Sequence, residues 1–240
     1  MEIKNVGIIG SGVMGCQIAE LFIKYNFNVT LYARSYNSLK NCLSRFRQKE
    51  LAAKLITTTN FEDLKSNDLL IESVKENAKI KQEIFEKLDK IATSHAIIAS
   101  NTSSIPLSTI AKNCKNKQNI LGLHFFNPVS HIRLVEVAKP SFVSEKTFNT
   151  AIELIKKLDK EPVVVKDTPG FICNRILFAM LNEAANVLHE GISTKDEIDK
   201  AMVLGSLHPV GPLKIIDIVG VDVTVDILQN LQNELKDNKF

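Results

Sequence analysis

Residues 123–137 read LHFFNPVSHIRLVEV. A histidine, an asparagine and a glutamate sit there in two short extended runs, with Pro128 breaking the chain between them. His124 and Glu136 are 12 positions apart. Two strands leaving such a turn can lie side by side and bring the imidazole within hydrogen-bond reach of the carboxylate. A carboxylate that fixes a histidine tautomer and stabilises its protonated form is half of general acid–base catalysis. The plainer alternative is a core histidine beside an edge-strand charge. A second polar group, SNTSSIP at residues 100–106, follows an apolar run. Hydroxyls and an amide at the carboxyl end of a strand stand where ligands bind in an open α/β sheet. The alternative there is a polar turn capping the helix after Pro106.

A third group is Gly10-Ser11-Gly12-Val13-Met14-Gly15. The run at residues 4–9 reads as a strand, Ile18, Ala19, Leu21, Phe22 and Ile23 have helical spacing, and residues 27–32 read as a second strand. GxGxxG at a strand-to-helix turn permits a tight turn and close backbone approach to a pyrophosphate, and the helix N-terminus offers N–H groups to it. An NAD site commonly carries an acid at the end of the second strand. Here the residues are Ala33, Arg34 and Ser35. Nothing repels a 2′-phosphate and Arg34 and Ser35 are able to bind one, so NADP is favoured slightly over NAD. Arg34 stacking on adenine or pointing to solvent is the alternative.

The elements that must position these groups alternate. A basic amphipathic helix is expected over residues 38–55, a strand over 68–74, a helix over 80–92, a strand over 96–99, a helix over 148–158 and a strand over 162–166. From residue 171 onward the pattern is helical. Residues 172–190 form one long helix, Gly191 ends it, Ser193 or Thr194 caps the next, and Gly205 ends that one. The expected fold is a Rossmann-type doubly wound, mostly parallel α/β sheet over residues 1–166, followed by a smaller all-helical domain over 167–240.

Of the 240 residues, 45% are apolar and 24% charged, a globular balance. The net charge of +3 is spread without the basic stripe of a nucleic-acid binder; it suits an anionic substrate. Cys16, Cys42, Cys114 and Cys173 are far apart in sequence without metal-ligand spacing, so no metal is expected and Cys16 reads as a small core residue. No apolar run approaches membrane-spanning length and the chain enters a strand without a signal-peptide pattern, so a cytoplasmic setting is expected.

Together the motifs VGIIGSGVMG, DLLIESVKENAKIKQEIF, ASNTSS, LGLHFFNPVSHIRLVEV, KDTPGFICNRIL and LHPVGPLKIIDIVGVD resemble the 3-hydroxyacyl-CoA dehydrogenases, the short bacterial 3-hydroxybutyryl-CoA members in particular. The resemblance implies interconversion of a short-chain (3S)-3-hydroxyacyl-CoA and its 3-oxoacyl-CoA. It implies His124 as general acid/base, Glu136 as its orienting partner, and Ser103, Asn127 and Asn174 as substrate-holding groups. Glu76 and Lys81 match positions near the cofactor, as do Ser103 and Asn127. A homodimer through the helical domain is implied as well. Ala33 departs from the family's usual acid. The segment between Arg34 and Asp68 is shorter than in relatives, where it projects to meet CoA; Lys49 and Lys54 are candidates for that contact. Relatives also continue beyond the position of Phe240. Two other readings remain open: an NADP-dependent reductase of a 3-oxoacid not carried on CoA, and a dinucleotide-binding assembly subunit weak in catalysis. The intact set of His124, Glu136, Asn127, Ser103 and Asn174 argues against the last.

Overall fold

The structure, a computed structural model, describes residues 2–46, 48–237 and 239–240. It divides into two compact units, Met1–Thr168 and Pro169–Phe240. In chain order the first contains β1 (Asn5–Ile9), α1 (Val13–Lys24), β2 (Asn28–Tyr32), α2 (Tyr36–Leu43), α3 (Lys49–Ala52), β3 (Ile56–Thr58), β4 (Leu69–Glu72), α4 (Ala78–Ile91), β5 (Ile97–Ser100), α5 (Leu107–Ile110), β6 (Ile120–Phe125), β7 (Leu134–Lys139), α6 (Glu145–Lys157) and β8 (Glu161–Lys166). The strands form one sheet in the order β3-β2-β1-β4-β5-β6-β7-β8. Every neighbouring pair is parallel except β6 and β7. This is the expected doubly wound fold. Its strand order reverses between β1 and β4, so the crevice for a ligand opens at their carboxyl ends. Strands β4, β5 and β6 are buried along their whole length, which is why they read as continuous apolar runs rather than alternating ones.

The helix expected over residues 38–55 is instead two short helices, α2 and α3. The Ser44 hydroxyl donates to the Asn41 carbonyl, and the N–H groups of Arg45 and Phe46 turn to carbonyls three residues back. Side-chain competition and this tightening end the α-helical ladder. Phe46 then enters the core at 7% exposure. The expected capping of α5 by the SNTSSIP hydroxyls also fails. Its first N–H groups, on Leu107 and Ser108, donate to the Asp167 carboxylate, supplied from 60 and 59 residues away.

Cys16 is not simply the small core residue expected, because it is bonded to Cys42. The two are joined as a disulfide between α1 and α2, with Cα atoms 5.6 Å apart. Linear spacing hid the pair, because the strand–helix–strand crossover folds α2 back beside α1.

Among its described residues the second unit contains helices and no strand: α7 (Cys173–His189), α8 (Lys195–Ser206), α9 (Pro212–Val219) and α10 (Val221–Leu235). Phe178, Leu181, Leu231 and Phe240 form one core cluster, and Ala184, Ile198 and Leu213 form another. Thr194 caps α8 by accepting the Glu197 N–H. Gly205 does not end that helix; it continues through Ser206, and Leu207 closes it at φ +56°. None of the described helices is long and apolar enough to cross a membrane.

Unreduced, denatured protein should titrate two thiols, Cys114 and Cys173, rather than four. Reduction of the crosslink, which closes a loop of 26 residues, should cost about 3 kcal/mol, read as a lower Tm in dithiothreitol. Four reactive thiols in protein never exposed to reductant would remove the crosslink.

Candidate active site

Antiparallel pairing puts residues of adjacent strands directly opposite one another. In the β6–β7 ladder His124 faces Glu136. His124 Nδ1 lies 2.8 Å from Glu136 Oε2, with the residues 6% and 0% exposed. The pair sits next to the carboxyl end of β6, and the loop that follows covers it. In that loop Phe126 packs its ring 4.3 Å from the imidazole centroid.

The neighbouring strand ends are tied by charge. Lys81 on α4 is 1% exposed and reaches Glu72 Oε1 at 2.8 Å and Glu76 Oε2 at 3.1 Å. Glu72, the last residue of β4, also accepts the Val74 N–H and the Ser100 hydroxyl. Glu76 Oε1 accepts the Thr102 hydroxyl at 2.6 Å, the N–H groups of Ser103 and Ser104 at 3.0 Å, and the Ser104 hydroxyl. Burial alone would raise the Glu76 pKa. The Lys81 ammonium outweighs it, together with the hydrogen bonds from Thr102, Lys81 and Ser103, and holds the carboxyl down to about 2. Glu76 therefore shapes the Ser103 loop. Lys81 is enclosed between the two carboxylates, so its charge acts on the crevice through Glu76 rather than by facing it. Asn101 joins this loop to β6 by accepting the Phe125 N–H.

The glycine turn stands beside this loop. Gly10 has φ +115°, and a Cβ there would meet the Ser73 carbonyl oxygen at 2.4 Å. A Cβ at Gly15 would stand 1.9 Å from the Gly10 oxygen, whereas at Gly12 nothing lies within 4 Å. So Gly10 and Gly15 serve the chain's own packing, and Gly12 leaves open space before the first turn of α1, formed by Val13, Met14 and Gly15. That turn has no side-chain cap and no acidic residue. Its N–H groups fit a pyrophosphate. Ala33 is 5% exposed at the end of β2, and Arg34 is exposed. Ser35 caps α2, its hydroxyl accepting the Ser38 N–H. Ser11 lies in the glycine turn, half-buried.

Gln17 on α1 connects the glycine helix to the loop after His124. Its Nε2 donates to Asn127 Oδ1 at 2.9 Å, and its Oε1 accepts the Val129 N–H at 2.7 Å. Beside it a cavity of about 490 Å³ is lined by the cations Lys24, Arg45, Arg133 and Lys160 and the acids Glu20 and Asp159, with Phe46 and Leu51 among its apolar walls. Lys49 and Lys54 are not among the lining residues. Asn174 belongs to the helical unit, on the first turn of α7.

The NAD binding domain of 3-hydroxyacyl-CoA dehydrogenase matches residues 5–168, and the C-terminal domain of 3-hydroxyacyl-CoA dehydrogenase matches residues 170–240. The chain belongs to the 3-hydroxyacyl-CoA dehydrogenase family. It is 38% identical to a 3-hydroxybutyryl-CoA dehydrogenase of Clostridioides difficile, over 98% of this chain and 90% of that protein. It is 38% identical to the mitochondrial hydroxyacyl-coenzyme A dehydrogenase of Homo sapiens, over 92% of this chain and 78% of that protein. The crystal structure of (S)-3-hydroxybutyryl-CoA dehydrogenase from Ralstonia eutropha superposes with a TM-score of 0.92 at 37% identity, covering 99% of this chain and 90% of that one. This member of the 3-hydroxyacyl-CoA dehydrogenases is thus an oxidoreductase with an NAD-binding first domain.

Two participants escape a reading of the sequence alone. Glu72 closes an apolar strand, and a lone carboxylate ending such a run was the available signal. Gln17 gave none, because its partners lie 110 and 112 residues away.

Glu76 links the site to pH. Its folded pKa is depressed from 4.5 to about 2, so its contribution is complete above pH 4.5 and is lost as pH falls toward 2. With the side chain 30% exposed, the contribution discounts to on the order of 2 kcal/mol. Glu76→Gln should lose that stability at neutral pH and flatten the acid-unfolding curve between pH 5 and pH 2, followed by circular dichroism. Superimposable curves for parent and variant would remove the assignment.

Proposed function

We propose that this chain interconverts short-chain (3S)-3-hydroxyacyl-CoA and 3-oxoacyl-CoA, with His124 as general acid/base and Glu136 as its orienting partner. The observation that carries the reading is the buried imidazole–carboxylate contact of 2.8 Å near the carboxyl end of β6. An ionised carboxylate only accepts, so Glu136 accepts a hydrogen bond from Nδ1–H and leaves Nε2 as the basic nitrogen of the ring. In oxidation Nε2 receives the proton of the substrate 3-hydroxyl, and Glu136 stabilises the imidazolium that results. In reduction the imidazolium returns the proton to the 3-oxygen. Bound NAD(H) or NADP(H) supplies the hydride exchange at C3. Ser103 and Asn127 are neutral donors suited to the substrate oxygens, and Asn174 is a further substrate amide on the family pattern. The open turn at Gly12 and the N–H groups of Val13, Met14 and Gly15 hold the pyrophosphate, on the backbone that Gly10 and Ser11 shape.

The cavity beside Gln17, with four cations against the two acids Glu20 and Asp159, supports an anionic carrier such as CoA. The name of the C. difficile relative supports a short acyl chain. A homodimer through the helical unit fits the same reading, supported by exposed Ile192, Leu204, Ile218 and Val221. For the cofactor, the buried methyl of Ala33 and the exposed Arg34 admit a 2′-phosphate, so NADPH is used at least as well as NADH.

Reduction of acetoacetyl-CoA, followed by loss of reduced cofactor, tests the reaction. His124→Ala should lower kcat by roughly 100-fold to 10,000-fold and leave cofactor binding in place. Near-parent turnover would remove His124 from the mechanism, and equal turnover of free acetoacetate would remove the CoA carrier. Ala33→Asp should shift selectivity toward NADH by about tenfold; unchanged selectivity would show that this turn does not read the phosphate.

A further inference from the structure

The bonds made by Gln17 have a direction. A backbone N–H only donates, so the Val129 N–H, at 2.7 Å, determines that Gln17 turns Oε1 toward it. The other end of that amide, an NH2 group that only donates, then faces Asn127 at 2.9 Å and determines that Asn127 turns Oδ1 inward. The Nδ2 donor of Asn127 is left facing away from Gln17, and Asn127 is exposed. The start of this relay is itself held. Val129 is 1% exposed, and the Lys160 ammonium donates to the carbonyls of Val129 and Ile132.

We propose that Gln17 is a positioning residue for the reaction, an amide relay that presents Asn127 to the substrate as a hydrogen-bond donor. The inference rests on the role proposed above for Asn127. A substrate oxygen that gains negative charge is stabilised by an N–H donor and repelled by a carbonyl lone pair. A carboxamide free to rotate by half a turn offers either. Gln17 removes that choice, from the helix whose first turn faces the cofactor phosphates. Nothing in the relay requires Gln17 to touch substrate.

The test is acetoacetyl-CoA reduction by Gln17→Glu, Gln17→Ala, Asn127→Ala and the double variant Gln17→Ala/Asn127→Ala, with NADH binding measured for each as the check on folding. Gln17→Glu keeps the length of the side chain and the acceptor for the Val129 N–H, so a role confined to holding the loop would leave turnover unchanged. As a carboxylate it cannot donate, and Asn127 should turn its Nδ2 inward. We expect kcat to fall by roughly tenfold to 100-fold at pH 8, and the deficit relative to parent to close as pH falls toward 5 and the introduced carboxyl regains a proton to donate. A folding defect would not reverse in this way. Gln17→Ala should lower kcat in the parent and add nothing in the Asn127→Ala background, since residues acting through one group are not additive. Parent-like kcat for Gln17→Glu across the pH range overturns the relay, as do multiplicative effects of Gln17→Ala and Asn127→Ala. Loss of turnover in His124→Ala with no loss in Asn127→Ala overturns the relay alone; full turnover in His124→Ala overturns the reading beneath it.

Discussion

One buried ammonium organises the crevice wall. Lys81 is enclosed at 1% exposure between the carboxylates of Glu72 and Glu76. Burial of charge is tolerated only where each ion is paired and its remaining lone pairs are satisfied. The donors that complete the set come from Val74, Ser100, Thr102, Ser103 and Ser104. All lie at or just beyond the carboxyl ends of β4 and β5, where an open α/β sheet receives its ligand. The shape of that wall is therefore the shape that satisfies two buried charges, Lys81 and Glu72, and the half-buried Glu76. Loss of the ammonium alone would leave Glu72 with an uncompensated charge at zero exposure, the costly way to break such a cluster.

The single reversal in the sheet is what allows His124 and Glu136 to meet. Parallel strands need a crossover of a dozen or more residues, whereas β6 returns as β7 through a short loop. Direct opposition in the antiparallel ladder then converts a separation of 12 residues into contact. The same loop carries Asn127 and Val129, so the return that pairs the two side chains also brings them to Gln17.

Much of this was legible from period and punctuation. Continuous apolar runs named the central strands, and the glycine turn between a strand and a helix named the fold class, because those signals are local. The pairing of His124 with Glu136 was readable for the same reason, as both lie on one hairpin-like return. What escaped depended on distance along the chain. Asp167 capping α5, Cys16 meeting Cys42, and Gln17 reaching Asn127 are contacts between elements that only the crossovers bring together. The broken helix at Ser44 escaped for a different reason: Leu39, Leu43, Phe46 and Leu51 lie on or near one helical face by spacing, and the hydroxyl that ends the ladder leaves no mark in that spacing.

The bond between Cys16 and Cys42 encloses β2 and the turn at Ala33, Arg34 and Ser35 in a covalent ring. The ring is anchored at one end in the first turns of α1 and at the other in α2. Its consequence concerns change rather than chemistry. The exposed side chain of Arg34 can be exchanged while the backbone beneath it stays tethered at both ends, with Ala33 packed below and Ser35 capping α2, which makes that one position a tolerant place for redesign.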